Sequence, residues 1–109
     1  MSETKPLAVN RRARRDYFID ETVEAGIVLA GSEIKSIRAG QINLKESYAQ
    51  IKDGQLWLMG AHVAPYQQAS HANHDPLRAR KLLMHQREIR RLAERVAQKG
   101  VTLVPLSVY

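Results

Sequence analysis

Apolar positions along this chain fall into short groups with different spacings. Tyr17, Phe18 and Ile19, then Val23, then Ile27, Val28 and Leu29, give residues 17–29 the character of a strand. Glu21, Glu24 and Gly26 interrupt the pattern. A glycine inside a strand pattern predicts a bulge or sharp bend. Gly31 and Ser32 open a short helix, with Ser32 as its N-cap and Ile34 and Ile37 on one face. Gly40 ends that helix in a left-handed cap. Residues 47–51 and Gln55–Met59 flank Lys52-Asp53-Gly54, and Asp-Gly between two apolar runs predicts a hairpin.

Residues 64–76 are polar and read as a loop. Asp75-Pro76 resembles a cap followed by proline at the first helical position. The helix predicted to follow spans residues 77–98. Leu82, Ile89, Leu92, Ala93 and Val96 then form one stripe at about 100° per residue. Gly100 caps it, and residues 101–109 read as a strand in which Pro105 favours an edge position. No βαβ repeat is present. The order fits a mainly β chain with α: a small antiparallel barrel carrying a short and a long helix. Residues 1–9 are expected to be a flexible leader and residues 10–109 a single domain. The last strand has no later segment to pair with, so the barrel is expected to be incomplete at that end.

Size and composition narrow the class. The chain has 109 residues, 44% hydrophobic content and no cysteine. That suits one small core and excludes disulfides, cysteine-ligated zinc and a thiol nucleophile. No apolar run reaches the roughly 18 residues of a membrane span. These features point to a cytoplasmic monomer with no membrane association. The charge adds more. Net charge is +6, and the excess lies in two blocks around an acidic middle. The first is Arg11, Arg12, Arg14 and Arg15; the second runs from Arg78, Arg80 and Lys81 through Arg87, Arg90, Arg91, Arg95 and Lys99. Arginine forks match phosphate oxygens and stack on bases, so nucleic acid is the natural partner. The first block reads as an arm that orders on a phosphate backbone, with Tyr17 as a stacking platform. On the helical projection Leu83 and Met84 lie among arginines, suited to contact with unstacked bases while Arg80 and Lys81 hold phosphates. Lys35, Arg38 and Arg87 are further cationic candidates. The two blocks are expected to form one positively charged cradle.

Enzyme readings are weaker. His71, His74 and Asp75 lie close together but lack a defined further metal ligand. There is no glycine-rich phosphate loop and no nucleophile elbow. The chain therefore reads as a non-enzyme without a cofactor. A generic single-stranded nucleic-acid module is the alternative, but aromatic content is only 6% where such modules rely on stacking.

Several runs resemble the SsrA-binding protein (small protein B) family. They are Asn10-Arg11-Arg12-Ala13-Arg14 through Asp16-Tyr17-Phe18-Ile19, and Glu24-Ala25-Gly26-Ile27-Val28-Leu29. Gly31, Glu33-Ile34-Lys35-Ser36-Ile37-Arg38-Ala39-Gly40, Asn43-Leu44 and Ser47-Tyr48-Ala49 continue the match. The most distinctive stretch is His74-Asp75-Pro76-Leu77-Arg78-Ala79-Arg80-Lys81-Leu82-Leu83, with Gly100-Val101-Thr102-Leu103-Val104-Pro105-Leu106 closing it. The resemblance implies an OB-type barrel that binds the tRNA-like domain of transfer-messenger RNA. It also implies a role at stalled ribosomes in trans-translation. It places RNA contacts at Asn10, Glu24, Lys81, Leu83 and His85, with Glu24 as a carboxylate at a buried rim. Arg15 stands where the family usually has histidine. The family continues past Tyr109 with further barrel strand and a basic tail, so this chain is expected to be a shortened form.

Overall fold

The computed structural model describes residues 6–66 and 73–109. In chain order the elements are β1 (Ala8–Val9), α1 (Arg11–Asp16), β2 (Gly26–Ile27), α2 (Gly31–Arg38), β3 (Ile42–Asn43), β4 (Tyr48–Lys52), β5 (Gln55–Met59), β6 (His62–Val63), β7 (Arg80–Leu83), α3 (Gln86–Lys99) and β8 (Ser107–Val108). Among the described residues all pairings are antiparallel. One four-stranded sheet has the order β2-β7-β5-β4, and two-stranded pairs join β1 to β8 and β3 to β6. Ala49 on β4 also bridges Leu103. The fold is thus mixed α/β with antiparallel sheets.

The β4–β5 hairpin forms as its sequence predicts. Asp53 and Gly54 both take positive φ, +54° and +72°, the backbone of a two-residue turn whose twist matches the flanking strands. Leu56 and Leu58 face the interior in alternation. Leu58 packs with Leu44 and Ala61, and Ala8, Ile27, Ile42, Leu82 and Val108 close around them. Each fully buried leucine contributes on the order of 2 kcal/mol. Gly60 has φ +75°, and an added Cβ would lie 2.9 Å from the Glu46 carbonyl oxygen, so a side chain is barred there.

Several expectations need correction. First, residues 77–98 are not one helix. Arg80–Leu83 is a strand between β2 and β5, and helix begins only at Gln86. Alternation decides this segment: Arg80 and Leu82 turn inward, Lys81 and Leu83 outward. The inward Arg80 is the residue that the helical projection assigns to a phosphate at the surface. Asp75-Pro76 opens a turn, with the Leu77 N–H on the Asp75 carboxylate and the Arg78 N–H on the Asp75 carbonyl.

Second, the basic arm is a helix capped by Asn10. Within the stretch read as leader, Ala8–Val9 pairs with Ser107–Val108. That pairing also supplies the partner the last strand was expected to lack. Third, only Gly26–Ile27 of residues 17–29 is strand. Fourth, α2 is capped through Glu33, whose carboxylate accepts the Ala30 N–H at 2.8 Å, and Ser32 instead meets His74. Among the described residues the sheets are separate and no closed barrel is seen, and the strand expected over residues 101–109 is reduced to the Leu103 bridge and β8. Gly40 and Gly100 do end their helices at positive φ.

Candidate nucleic-acid interface

The first basic block is built on Asn10. Its Nδ2 donates to the carbonyls of Leu44 and Pro105 at 3.1 and 3.0 Å, and its Oδ1 accepts the Ala13 N–H at 3.1 Å. Asn10 is 4% exposed, and both its amide donors and its carbonyl oxygen are engaged within the protein. It is therefore not a surface contact but the anchor of α1. Ala13 packs inward, which turns Arg11, Arg12, Arg14 and Arg15 out to solvent. Arg12 pairs with Asp16 and reaches Glu46, and Arg15 pairs with Asp16. The two guanidinium groups hold the Asp16 carboxyl below its ordinary value, Arg15 through the larger effect. Beside α1 lies an open groove of about 330 Å³, lined in part by Arg12, Tyr17, Lys45 and Tyr48. Tyr17 and Tyr48 are both about half exposed there.

The second block divides between interior and surface. Glu33 is fully buried and gathers four donors. Arg80 Nε lies 2.7 Å from Oε2 and Arg78 Nη2 2.6 Å from Oε1, with Arg78 Nε and the Ala30 N–H completing the set. Arg80 also donates to the carbonyls of Ala61 and Pro76. Burial pushes the Glu33 carboxyl up, but Arg78, the Ala30 N–H and Arg80 outweigh it and hold the group at about 2. Arg80 is 0% exposed, which removes it from the phosphate contacts expected of it. A buried arginine is stable here because its donors meet a carboxylate and two carbonyls.

What remains at the surface is a small strip at the β2–β7 margin. Lys81 lies across from Trp57, and Leu83 lies opposite Gly26. A Cβ at Gly26 would sit 3.3 Å from that of Leu83, so glycine lets Leu83 stand in the sheet with half its surface open. Glu24 precedes this pair by two residues and is exposed, not set in a buried rim. Met84 is half-buried. His85 is exposed at the N-cap of α3, not set against the core, and Arg87 is exposed in the first turn.

The structure thus brings Glu24, Lys81, Leu83, Met84 and His85 to one margin. It places the α1 arginines beside β4 at the other end of the sheet order. Arg91 and Arg95 of the second block nevertheless reach Asp20 and Glu21, a few residues past the end of α1. Lys35 and Arg38 are exposed on α2, with Lys35 Nζ 5.5 Å from the Tyr66 ring centre. Between the two ends runs a strap, residues 18–25. Arg91 grips Glu21 at 2.8 and 3.1 Å, and Arg95 pairs with Glu21 and Asp20. Arg91 chiefly holds the Glu21 carboxyl below its ordinary value.

Of His71, His74 and Asp75, weighed above and set aside as metal ligands, the structure describes His74 and Asp75. His74 Nε2 lies 2.9 Å from the Val63 carbonyl, which only accepts, so Nε2 donates. Nδ1 faces the Ser32 hydroxyl at 2.8 Å. Both ring nitrogens therefore tie α2 to β6. His71 lies outside the described residues. Sequence reasoning missed the Glu33–Arg78–Arg80 cluster; the signal available was an arginine alternating with apolar residues in Arg80–Leu83.

Folded in this way, the chain is a small mixed α/β domain whose separated cationic surfaces carry exposed aromatic and apolar side chains, the class of domain that meets a polyanion. The family model described as SmpB protein matches residues 7–109. An SsrA-binding protein of Symbiobacterium thermophilum is 59% identical over 108 residues, covering 99% of this chain and 68% of that one. One from Staphylococcus aureus is 57% identical over 103 residues, covering 94% and 67%. A solved structure described as "tmRNA-SmpB: a journey to the center of the bacterial ribosome" superposes with a TM-score of 0.77 at 54% identity, covering 96% of this chain and 73% of that one. The chain belongs to the SmpB protein family.

Proposed function

We propose that this chain is an RNA-binding adaptor that holds the tRNA-like domain of transfer-messenger RNA and supports its delivery to stalled ribosomes in trans-translation. The observation that carries this reading is the β2–β7 margin. A cation (Lys81), an open apolar side chain (Leu83), a carboxylate (Glu24) and an imidazole (His85) stand together there without a catalytic geometry. Lysine meets a phosphate, leucine covers the face of an unstacked base, and Glu24 accepts from a base amino group or a 2′-hydroxyl. The family match over nearly the whole chain supports the choice of RNA. The α1 arginines add attraction for phosphates that does not depend on sequence.

We also read the fold as an open relative of the OB barrel. In this reading β1, β8 and the Leu103 bridge continue the wall of the four-stranded sheet, and residues 10–109 act as a single cytoplasmic domain without catalytic activity. The test is competition binding. The chain should prefer the tRNA-like domain over a random RNA of equal length by at least about ten-fold. Equal affinity for the two contradicts the reading. Homopolymer DNA should compete poorly; strong competition favours a generic single-strand module instead.

A further inference from the structure

Phe18 is the only phenylalanine in the chain, and it is 95% exposed. A lone exposed apolar residue needs no explanation in general. This one is held differently. On its N-terminal side Tyr17 closes α1, its N–H on the Ala13 carbonyl at 3.0 Å. On its C-terminal side Asp20 and Glu21 are tied to Arg95 and Arg91 of α3. The backbone is thus clamped within three residues on both sides, while the ring packs on almost nothing. Its neighbour Tyr17 lines the groove beside α1; Phe18 does not. Arg14 and Arg15 occupy the last turn of α1, within four residues; of the nearby carboxylates, Asp16 is paired with Arg12 and Arg15, and Asp20 and Glu21 with α3. Among the described residues Arg11 and Arg14 carry no ion pair.

We propose that Phe18 is a stacking platform for an unpaired nucleobase, whose phosphate rests on Arg14 or Arg15. This rests on the RNA-binding reading but concerns a site apart from the β2–β7 margin. A clamped backbone presents the ring with little entropy left to lose on binding. An aromatic face accepts any base, and the arginines of α1 suit the phosphate beside it. The base belongs either to transfer-messenger RNA or to ribosomal RNA; the chemistry is the same for both.

The test uses the 109-residue chain with two probes, the isolated tRNA-like domain and purified bacterial ribosomes. Phe18→Ala should weaken binding to one of them about ten-fold or more, and the arm that responds identifies the source of the base. Its thermal unfolding should match that of the parent chain, since the ring buries almost nothing. Phe18→Trp should retain affinity, with indole fluorescence quenched on binding. Phe18→Leu, which keeps an apolar surface without a π face, should behave like Phe18→Ala. Unchanged affinity of Phe18→Ala in both arms overturns the proposal, as does a Phe18→Leu chain that binds like the parent. Leu83→Ala is measured in parallel. If it weakens binding and Phe18→Ala does not, only this proposal falls. If the parent chain binds neither probe, the RNA-binding reading falls with it.

Discussion

The two arginine-rich stretches look alike in the sequence and are used in opposite ways. Around α1 a neutral residue does the anchoring. Asn10 is buried and bonded through both atoms of its amide, and every arginine of the block is left at the surface. Ahead of α3 the arginines themselves do the anchoring. Arg80 lies wholly inside and Arg78 shares its carboxylate, so one lysine and one leucine face outward from β7. Net positive charge therefore overstates surface charge at one end and describes it at the other. The first surface suits attraction to phosphates in general, the second recognition of a particular RNA shape.

The contrast can be broken most forcefully at Glu33. Glu33→Gln leaves two arginines without their anion, one of them fully buried, and should destabilise the chain by about 3–5 kcal/mol in urea unfolding. A loss below about 1 kcal/mol means the second block is not anchored this way. The same carboxyl gives a pH signature. Its folded pKa, about 2, lies below the ordinary 4.5. Its stabilisation is therefore fully present above about pH 4.5 and disappears as pH falls toward 2. Urea midpoints across that window should fall in the parent chain and fall less in Glu33→Gln.

Asn10→Ala comes next. It removes an N-cap and the donor to the Pro105 carbonyl, while the Leu44 carbonyl keeps the Ser47 N–H and hydroxyl, so a loss of about 1–2 kcal/mol is expected, with RNA affinity of the folded fraction reduced only modestly. A large affinity loss without a stability loss makes Asn10 a contact after all. Lys81→Ala should lower the slope of log affinity against log salt by about 0.7–0.9 with little change in unfolding midpoint. An unchanged slope removes Lys81 from the phosphate contacts. Arg91→Ala should leave the urea unfolding midpoint almost unchanged, because its ion pairs are open to solvent and screened. A clear fall in the midpoint makes the strap a structural support, not a surface link.

Legibility followed the range of the forces involved. The hairpin was readable because Asp53-Gly54 encodes its own backbone, and Gly40 and Gly100 marked their helix ends for the same local reason. The Arg80–Leu83 strand was not readable from periodicity. Its inward arginine is stabilised by Glu33, 47 residues away, and by the carbonyl of Ala61, 19 away. Asn10 was legible as a residue of interest but not as an anchor, since its partners Leu44 and Pro105 are also remote. Lys81 and Leu83 were placed on the wrong element, a helix in place of β7, yet the helical projection and the strand both turn them away from the core.

The most direct test of the central assignment is the ratio of affinities for the tRNA-like domain and a random RNA of equal length. It should be measured for the parent chain, for Leu83→Ala, and for a chain with Arg11→Ala and Arg14→Ala. The account predicts that Leu83→Ala brings the ratio toward one, whereas loss of the two arginines weakens both affinities and leaves the ratio standing. A ratio that survives Leu83→Ala and collapses with the arginines contradicts it, and moves recognition to α1.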